Sequence, residues 1–136
     1  MKQQLALISI LVNDYDEAIH YYTNQLHFTL KEDTKLTSDK RWVIVSPTGS
    51  EGTALLLAKA STETQKKQIG FQSGGRVFLF LHTDDIERDY QNLLKNKIEI
   101  VREKTVDPWG TVLVFKDKYG NLWDLIEPNV NYPSNK

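Results

Sequence analysis

Apolar residues in this chain alternate between two spacings, and the alternation repeats. Residues 5–12 (LALISILV) form a short run rich in β-branched side chains, which predicts a buried strand. Asn13 and Asp14 interrupt it, and Asp14 with Glu17 three residues on fits a helix start of the capping-box type. Tyr15, Ala18, Ile19, Tyr22 and Leu26 then recur at helical spacing and give one apolar stripe, with the helix ending near Gln25 or Leu26. Three further strands are expected at 27–32, 41–45 (RWVIV) and 53–58 (TALLLA), the last two separated by the turn chemistry of Pro47-Thr48-Gly49. Residues 60–75 are polar, carry three glycines near their end and read as a connector with room for a short helix at 62–68.

The same order then returns. Residues 77–83 (VFLFLHT) predict a strand, Asp84 and Asp85 interrupt it, and Glu87 is a second capping candidate. Ile86, Tyr90, Leu93 and Leu94 make a helical stripe. Residues 98–103 alternate apolar and charged side chains, as a half-exposed strand does. Pro108-Trp109-Gly110 reads as a loop, 111–115 (TVLVF) as a strand, 117–121 (DKYGN) as a turn and 122–127 (LWDLIE) as the last strand. The tail from Pro128 has no periodicity and is expected to fray. Aligned at an offset of about seventy residues, Leu7 falls on Phe78, Ile10 on Leu81, Asp14 on Asp85 and Tyr22 on Leu93. With slightly smaller offsets, Gly52 falls on Gly120 and Leu56 on Asp124. The expected fold is therefore α+β: two tandem βαβββ modules forming an open, concave mixed sheet with the helices on the outer face. Residues 1–128 make one domain, with modules at 5–60 and 76–128, a connector at 61–75 and a tail at 129–136.

Composition changes the picture mainly by exclusion. Seventeen basic against eighteen acidic residues leave a net charge of −1, so no long-range field favours a polyanion and nucleic acid is not the expected partner. Cysteine is absent, which removes disulfides and thiolate metal sites. No apolar run reaches the ~20 residues of a membrane helix. With no signal-peptide pattern at the start, a cytoplasmic protein is expected. Walker, GxGxxG and HExxH patterns do not occur, nor does GxSxG. Residues 48–52 (TGSEG) hold glycines but lack the lysine and following helix of a phosphate loop.

Three stretches carry a family resemblance: ILVNDYDEAIHYYTNQL, FLHTDDIERDY and DKYGNLWDLIEP. In this order they resemble the two first-strand-and-helix elements and the closing turn and strand of the vicinal oxygen chelate superfamily, which includes glyoxalase I, bleomycin-resistance proteins, fosfomycin-resistance enzymes and extradiol dioxygenases. The resemblance spans residues 5–128 and implies paired βαβββ modules, a U-shaped sheet and a homodimer. It also implies a divalent ion in the metal-dependent members, held by His, Gln or Glu. Those positions fall on Leu7, Leu56, Phe78 and Asp124, and only Asp124 has a ligating side chain. No cofactor is therefore expected.

His20 lies mid-helix and His27 at a strand start, so neither supplies a replacement ligand set. His82 shares its strand face with Phe78 and Phe80 by period-two alternation, and is either a proton carrier near the rim of a cavity or a solvated strand-end residue. Asp124 lies between Leu122 and Ile126 on its face, and either meets a ligand, acts as a base, or pairs structurally with a cation such as Arg76. Trp42, Phe78, Phe80 and Trp109 suit a planar or apolar ligand, and equally suit core or dimer contacts. Arg41 and Arg76 are candidate anion contacts or solvated edge residues. The expected function is metal-free binding of a small molecule in an aromatic-lined pocket; were the chain an enzyme, Asp124 and His82 are the catalytic candidates. The alternatives are a glyoxalase-like lyase with an atypical site and a non-catalytic structural or regulatory dimer.

Overall fold

In a computed structural model, which describes residues 1–130, the chain forms two compact units, Met1–Gln72 and the portion from Ser73 onward. Most of the expected tail, 131–136, lies outside the described residues. In the first unit β1 (Leu7–Val12) leads into α1 (Tyr15–His20), then β2 (Thr29–Lys35), β3 (Arg41–Ser46), β4 (Ala54–Lys59) and the short α2 (Glu63–Gln68). In the second, β5 (Val77–His82) is followed by α3 (Ile86–Lys95), β6 (Glu99–Asp107), β7 (Gly110–Lys116) and β8 (Leu122–Pro128). The strand orders are β1-β4-β3-β2 and β5-β8-β7-β6, so each unit is one four-stranded mixed sheet of the expected βαβββ type. The first and last strands of each unit pair in parallel, and the other neighbours pair antiparallel. A parallel pair cannot be closed by a tight turn, which is why the path from β1 to β4 passes through a helix and two more strands.

Both helices start as their sequences predict. Asp14 Oδ2 accepts the Glu17 backbone N–H at 2.8 Å, and Asp85 Oδ1 accepts that of Arg88 at 3.0 Å. Glu87, the other expected capping residue, does not take that role: its carboxylate is taken by Lys104 and Gln91. The second acidic group at the α3 start is Glu127 of β8, which accepts the Ile86 N–H at 2.9 Å. Past α1 the chain widens into a π-helical turn, Tyr21–Gln25. Each helix then ends at a residue of positive φ, His27 (61°) and Lys97 (55°), with the following N–H returning to the helix: Phe28 to Tyr22 and Ile98 to Leu93. That cap delays β2, which runs over Thr29–Lys35 instead of the expected 27–32.

One face of each sheet receives a helix. Ile10, Val12, Val43, Val45, Leu55 and Leu57 are buried with Tyr15, Ala18 and Tyr22 of the first unit. In the second unit the buried set includes Leu113, Phe115, Trp123 and Leu125 with Ile86 and Leu93. Phe115 and Trp123, paired in register, stack at 5.7 Å between ring centres.

The turn between β7 and β8 is built on a carboxylate. Asp117, only 4% exposed, accepts the backbone N–H of Tyr119, Gly120 and Asn121 at 3.0–3.1 Å on Oδ1. Its Oδ2 accepts Asn121 Nδ2 and Trp123 Nε1, both at 3.0 Å. The β6–β7 connection, expected as a loop, is a two-residue hairpin turn at Pro108 and Trp109. Asp, Pro and Gly at its first, second and fourth positions suit such a turn. A Cβ on Gly110 would lie 2.4 Å from the Glu127 carbonyl oxygen, so only glycine fits there. At the outer edge of β1, the Gln72 side chain imitates a strand: its Oε1 accepts Leu11 N–H at 2.8 Å and its Nε2 donates to the Ser9 carbonyl at 3.0 Å.

Two outcomes follow. Asp117→Ala removes the carboxylate that five donors share and is expected to lower the unfolding free energy by about 3 kcal/mol or more, read by urea denaturation. Gln72→Ala is expected to cost only about 1 kcal/mol but to speed amide exchange selectively at Leu11, whereas unchanged exchange there would show that the edge is protected by something else.

Candidate functional site

Register places the chemistry. Residues opposite one another on neighbouring strands share a sheet face. In the second unit one row crosses all four strands in the order Phe80, Asp124, Val114, Arg102. The next row contains His82, Ile126 and Val112. These residues lie on the face opposite the row of Leu79 and the buried Trp123 and Phe115, which is the face that α3 covers. Phe80 is 65% exposed and His82 is exposed, Asp124 and Ile126 are half-buried, and Val112 and Val114 are buried.

Asp124 is the odd member of this surface. Its Oδ1 is out of contact with solvent and has no hydrogen-bond partner. Burial pushes its pKa up, and the positive charge of Arg102 opposes that rise. Arg76, the cation that sequence order suggests as its partner, precedes β5 and is not the group acting on Asp124. Arg102 takes that role because it stands opposite Val114, which stands opposite Asp124. Strict alternation along β6 would put Arg102 on the helix side with Ile100, but an extra residue in the ladder between them turns it over. Hydrophobic pattern alone therefore had no signal for Arg102.

The predicted site residues separate as follows. Phe80, His82 and Asp124 share the open face of the second sheet. Phe78 falls at a ladder irregularity between Val77 and Leu79 and has no partner in the β5–β8 register. Trp109, 48% exposed, sits in the β6–β7 turn beside the β8 end, with its carbonyl accepting Asn129 N–H at 2.8 Å. The pairing of Gly110 with Pro128 puts that end four residues past Asp124, or ~14 Å along the strand. Trp42 is half-buried on the first sheet, opposite Thr34. Arg41 is committed within its own unit: Asp33 holds it at 2.7 and 3.1 Å, Asp16 at 3.0 Å, and it lies 5.2 Å over the Tyr15 ring. Those two carboxylates, Asp33 first, push its pKa up. His20 Nδ1 lies 2.8 Å from Asn24 Nδ2, and His27 serves as a helix cap.

The equivalent row of the first sheet is Ser9, Leu56, Ile44, Glu32. Leu56 and Asp124 thus hold matching places in the two units, as the internal repeat predicts. Leu7 is on the same face as Ser9 and Leu56, one row away. The divalent ion that the family resemblance implies does not fit these residues. Leu7, Leu56 and Phe78 offer no donor atom, and among the described residues no three His, Cys, Asp or Glu groups are placed to hold a metal ion.

The sequence pattern of the Glyoxalase/Bleomycin resistance protein/Dioxygenase superfamily matches residues 4–125. A protein of Shewanella frigidimarina (strain NCIMB 400), itself uncharacterised, is 54% identical over 134 residues, covering 98% of this chain and 99% of that one. UcmS2 superposes with a TM-score of 0.80 at 27% identity, covering 93% of this chain and 99% of its own. TnmS3, an antibiotic binding protein from Streptomyces sp. CB03234, superposes with a TM-score of 0.73 at 27% identity, covering 95% and 98%.

The unmatched burial of Asp124 has a measurable consequence. A carboxyl whose pKa is raised by folding holds more protons in the folded chain than in the unfolded one between the two values. Its stabilising contribution is thus full below the unfolded pKa and is lost as pH rises through the folded one. Asp124→Asn is therefore expected to be more stable than the parent at pH 7, with the difference shrinking toward pH 4. Urea melts at both pH values check this, and an equal difference at each would remove burial as the cause.

Proposed function

The chain belongs to the Glyoxalase/Bleomycin resistance protein/Dioxygenase superfamily, and from that premise we propose that it is a metal-free small-molecule-binding protein. The observation that carries this reading is the row Phe80–Asp124–Val114 on the face of the second sheet away from α3, where an exposed aromatic ring stands next to a half-buried carboxylate. The ligand residues are Phe80, His82 and Asp124, joined by Phe78 and Trp109 of the same unit, as side chains suited to a planar or amphipathic compound. The likeness to TnmS3, described as an antibiotic binding protein, supports a binding role over a chemical one. The protein works as a homodimer in the cytoplasm, as the family resemblance and the cysteine-free composition imply. Among the described residues no helix is long and apolar enough to cross a membrane.

Metal chemistry of the family kind needs several oxygen or nitrogen ligands on one ion, and apolar side chains at Leu7, Leu56 and Phe78 supply none. A lyase reading would need another set of groups. His82 and Asp124 are the available acid–base candidates, and they occupy neighbouring rows of one face.

Protein purified without chelators or affinity metal is expected to contain no stoichiometric Zn, Mn, Fe or Ni by elemental mass spectrometry. About one ion per chain would overturn the metal-free reading and call for glyoxalase-type substrates. A thermal-shift screen of planar and amphipathic compounds is expected to return ligands that raise the melting temperature. The same ligands should quench the accessible Trp109 and leave the buried Trp123 unaffected.

A further inference from the structure

One glutamine shows which chemistry a sheet edge of this chain accepts. β1 lies at the edge of its sheet, and its Ala6 and Val12 carbonyls take the N–H groups of Ala54 and Ala60 on the β4 side. Backbone groups alternate in direction along a strand, so those of Ser9 and Leu11 point outward. There the Gln72 carboxamide takes both: Leu11 N–H donates to Oε1 at 2.8 Å, and Nε2 donates to the Ser9 carbonyl at 3.0 Å. β5 holds the same place in the second sheet. At the offset that sets Leu7 on Phe78, Ser9 falls on Phe80 and Leu11 on His82. The ladders agree, since Ser9 pairs with Leu56 and Phe80 with Asp124. Thr83 N–H donates inward to the Ile126 carbonyl at 2.9 Å, so by the same alternation the Phe80 carbonyl and the His82 N–H point outward. No glutamine meets them, and among the described residues neither group has a hydrogen-bond partner. Buried backbone groups are almost always paired, and Phe80 and His82 are both exposed, so this pair faces solvent.

We propose that the β5 edge binds a flat cyclic amide, whose C=O accepts the His82 N–H and whose N–H donates to the Phe80 carbonyl. This rests on the reading of the second unit as a small-molecule site, and it names the ligand class. The Gln72 contact selects that class. Both of its polar atoms sit on one carbon, so the edge is satisfied by an N–H and a C=O side by side. Primary amides and ring lactams have that arrangement, whereas a trans peptide unit points its N–H and C=O in opposite directions. An added peptide strand would instead need a longer regular edge. β5 does not supply one, because the ladder is irregular at Phe78 and the strand ends at His82. The exposed Phe80 ring at this edge offers apolar cover to a flat ring system, which favours a lactam fused to an aromatic ring over a simple amide.

Three probes test this by NMR titration of the full chain: 2-quinolone, a fused lactam; coumarin, which has ring oxygen in place of the N–H; and the blocked peptide acetyl-Thr-Val-Thr-Val-N-methylamide. The parent is expected to bind 2-quinolone about tenfold more tightly than coumarin, the value of one net hydrogen bond. The His82 amide proton should move downfield as it donates to the lactam. His82→Pro removes that N–H at an edge position where proline is tolerated, and His82→Ala keeps it. Both variants lose the imidazole, so the comparison between them isolates the N–H, and His82→Pro should bind 2-quinolone about tenfold more weakly than His82→Ala. Equal binding of 2-quinolone and coumarin, an unmoved His82 amide proton, or equal binding by the two variants would overturn the amide assignment. If ligands still shifted the Phe80 and Asp124 amides, the small-molecule reading would stand without it. The parent measurements decide the matter even if His82→Pro does not fold. Tighter binding of the peptide than of 2-quinolone would overturn the choice of a small ligand in favour of strand addition. No shift on β5 or β8 with these probes or with any thermal-shift ligand would overturn the small-molecule site, and this inference with it.

Discussion

The register of β8 is the constraint on which the second unit depends, and the Asp117 carboxylate is what holds it. β8 is paired on both sides, with β5 in parallel and with β7 antiparallel. A slip of one residue would send Trp123 and Leu125 to the open face and bring Asp124 against α3. Asp117 prevents this by collecting three backbone N–H groups of the turn, an amide and the indole N–H of Trp123 on one buried side chain. The bond to Trp123 ties the turn directly to the first buried ring of the strand, so the turn and the core specify the same register. The DKYGN stretch that carries part of the family resemblance is thus structural at its first residue, and its chemical consequence appears seven residues later at Asp124.

The first unit reaches the same topology with a weaker device. Its β3–β4 connection uses Pro47 and Ser50, with Ser50 N–H returning to the Pro47 carbonyl and Ser50 Oγ accepting Gly52 N–H. Its ladder registers Ile44 with Leu56 and Val45 with Leu55, whereas β7 and β8 pair along seven consecutive positions. The contrast assigns different work to the two copies of the motif. One sheet presents an apolar row with Leu56 at its centre, and the other holds a carboxylate at the same place. The fold common to the superfamily settles neither choice, since function lies in the side chains that a scaffold presents.

Much of the architecture was legible because burial imposes a period. The stripes of α1 and α3, the strand order and the internal repeat all follow from which residues must leave water, and both N-caps were readable at Asp14 and Asp85. Less of the site could be read. Period-two alternation correctly joined Phe80 to His82, and the repeat correctly matched Leu56 with Asp124. The same alternation said nothing of Arg102, because an irregularity in the β6–β7 ladder turns it over, and Phe78 falls at a second irregularity, in the β5–β8 ladder. Arg41, a candidate anion contact by composition, was already taken by Asp33 and Asp16, residues brought to it by a neighbouring strand and a helix.

What the sequence determined by itself was therefore the set of elements, their order and the polarity of their faces, because hydrophobic burial acts on neighbours along the chain. Tertiary structure decided who faces whom across the sheet. It made Arg102, across β7, rather than Arg76 the cation that acts on Asp124, it closed the Trp109 segment into a tight turn against β8, and it left Asp124 Oδ1 without a donor. Those outcomes depend on strand register and on single inserted residues in the ladders. Such an insertion moves a side chain from one face to the other at a cost too small and too local to mark the amino-acid pattern.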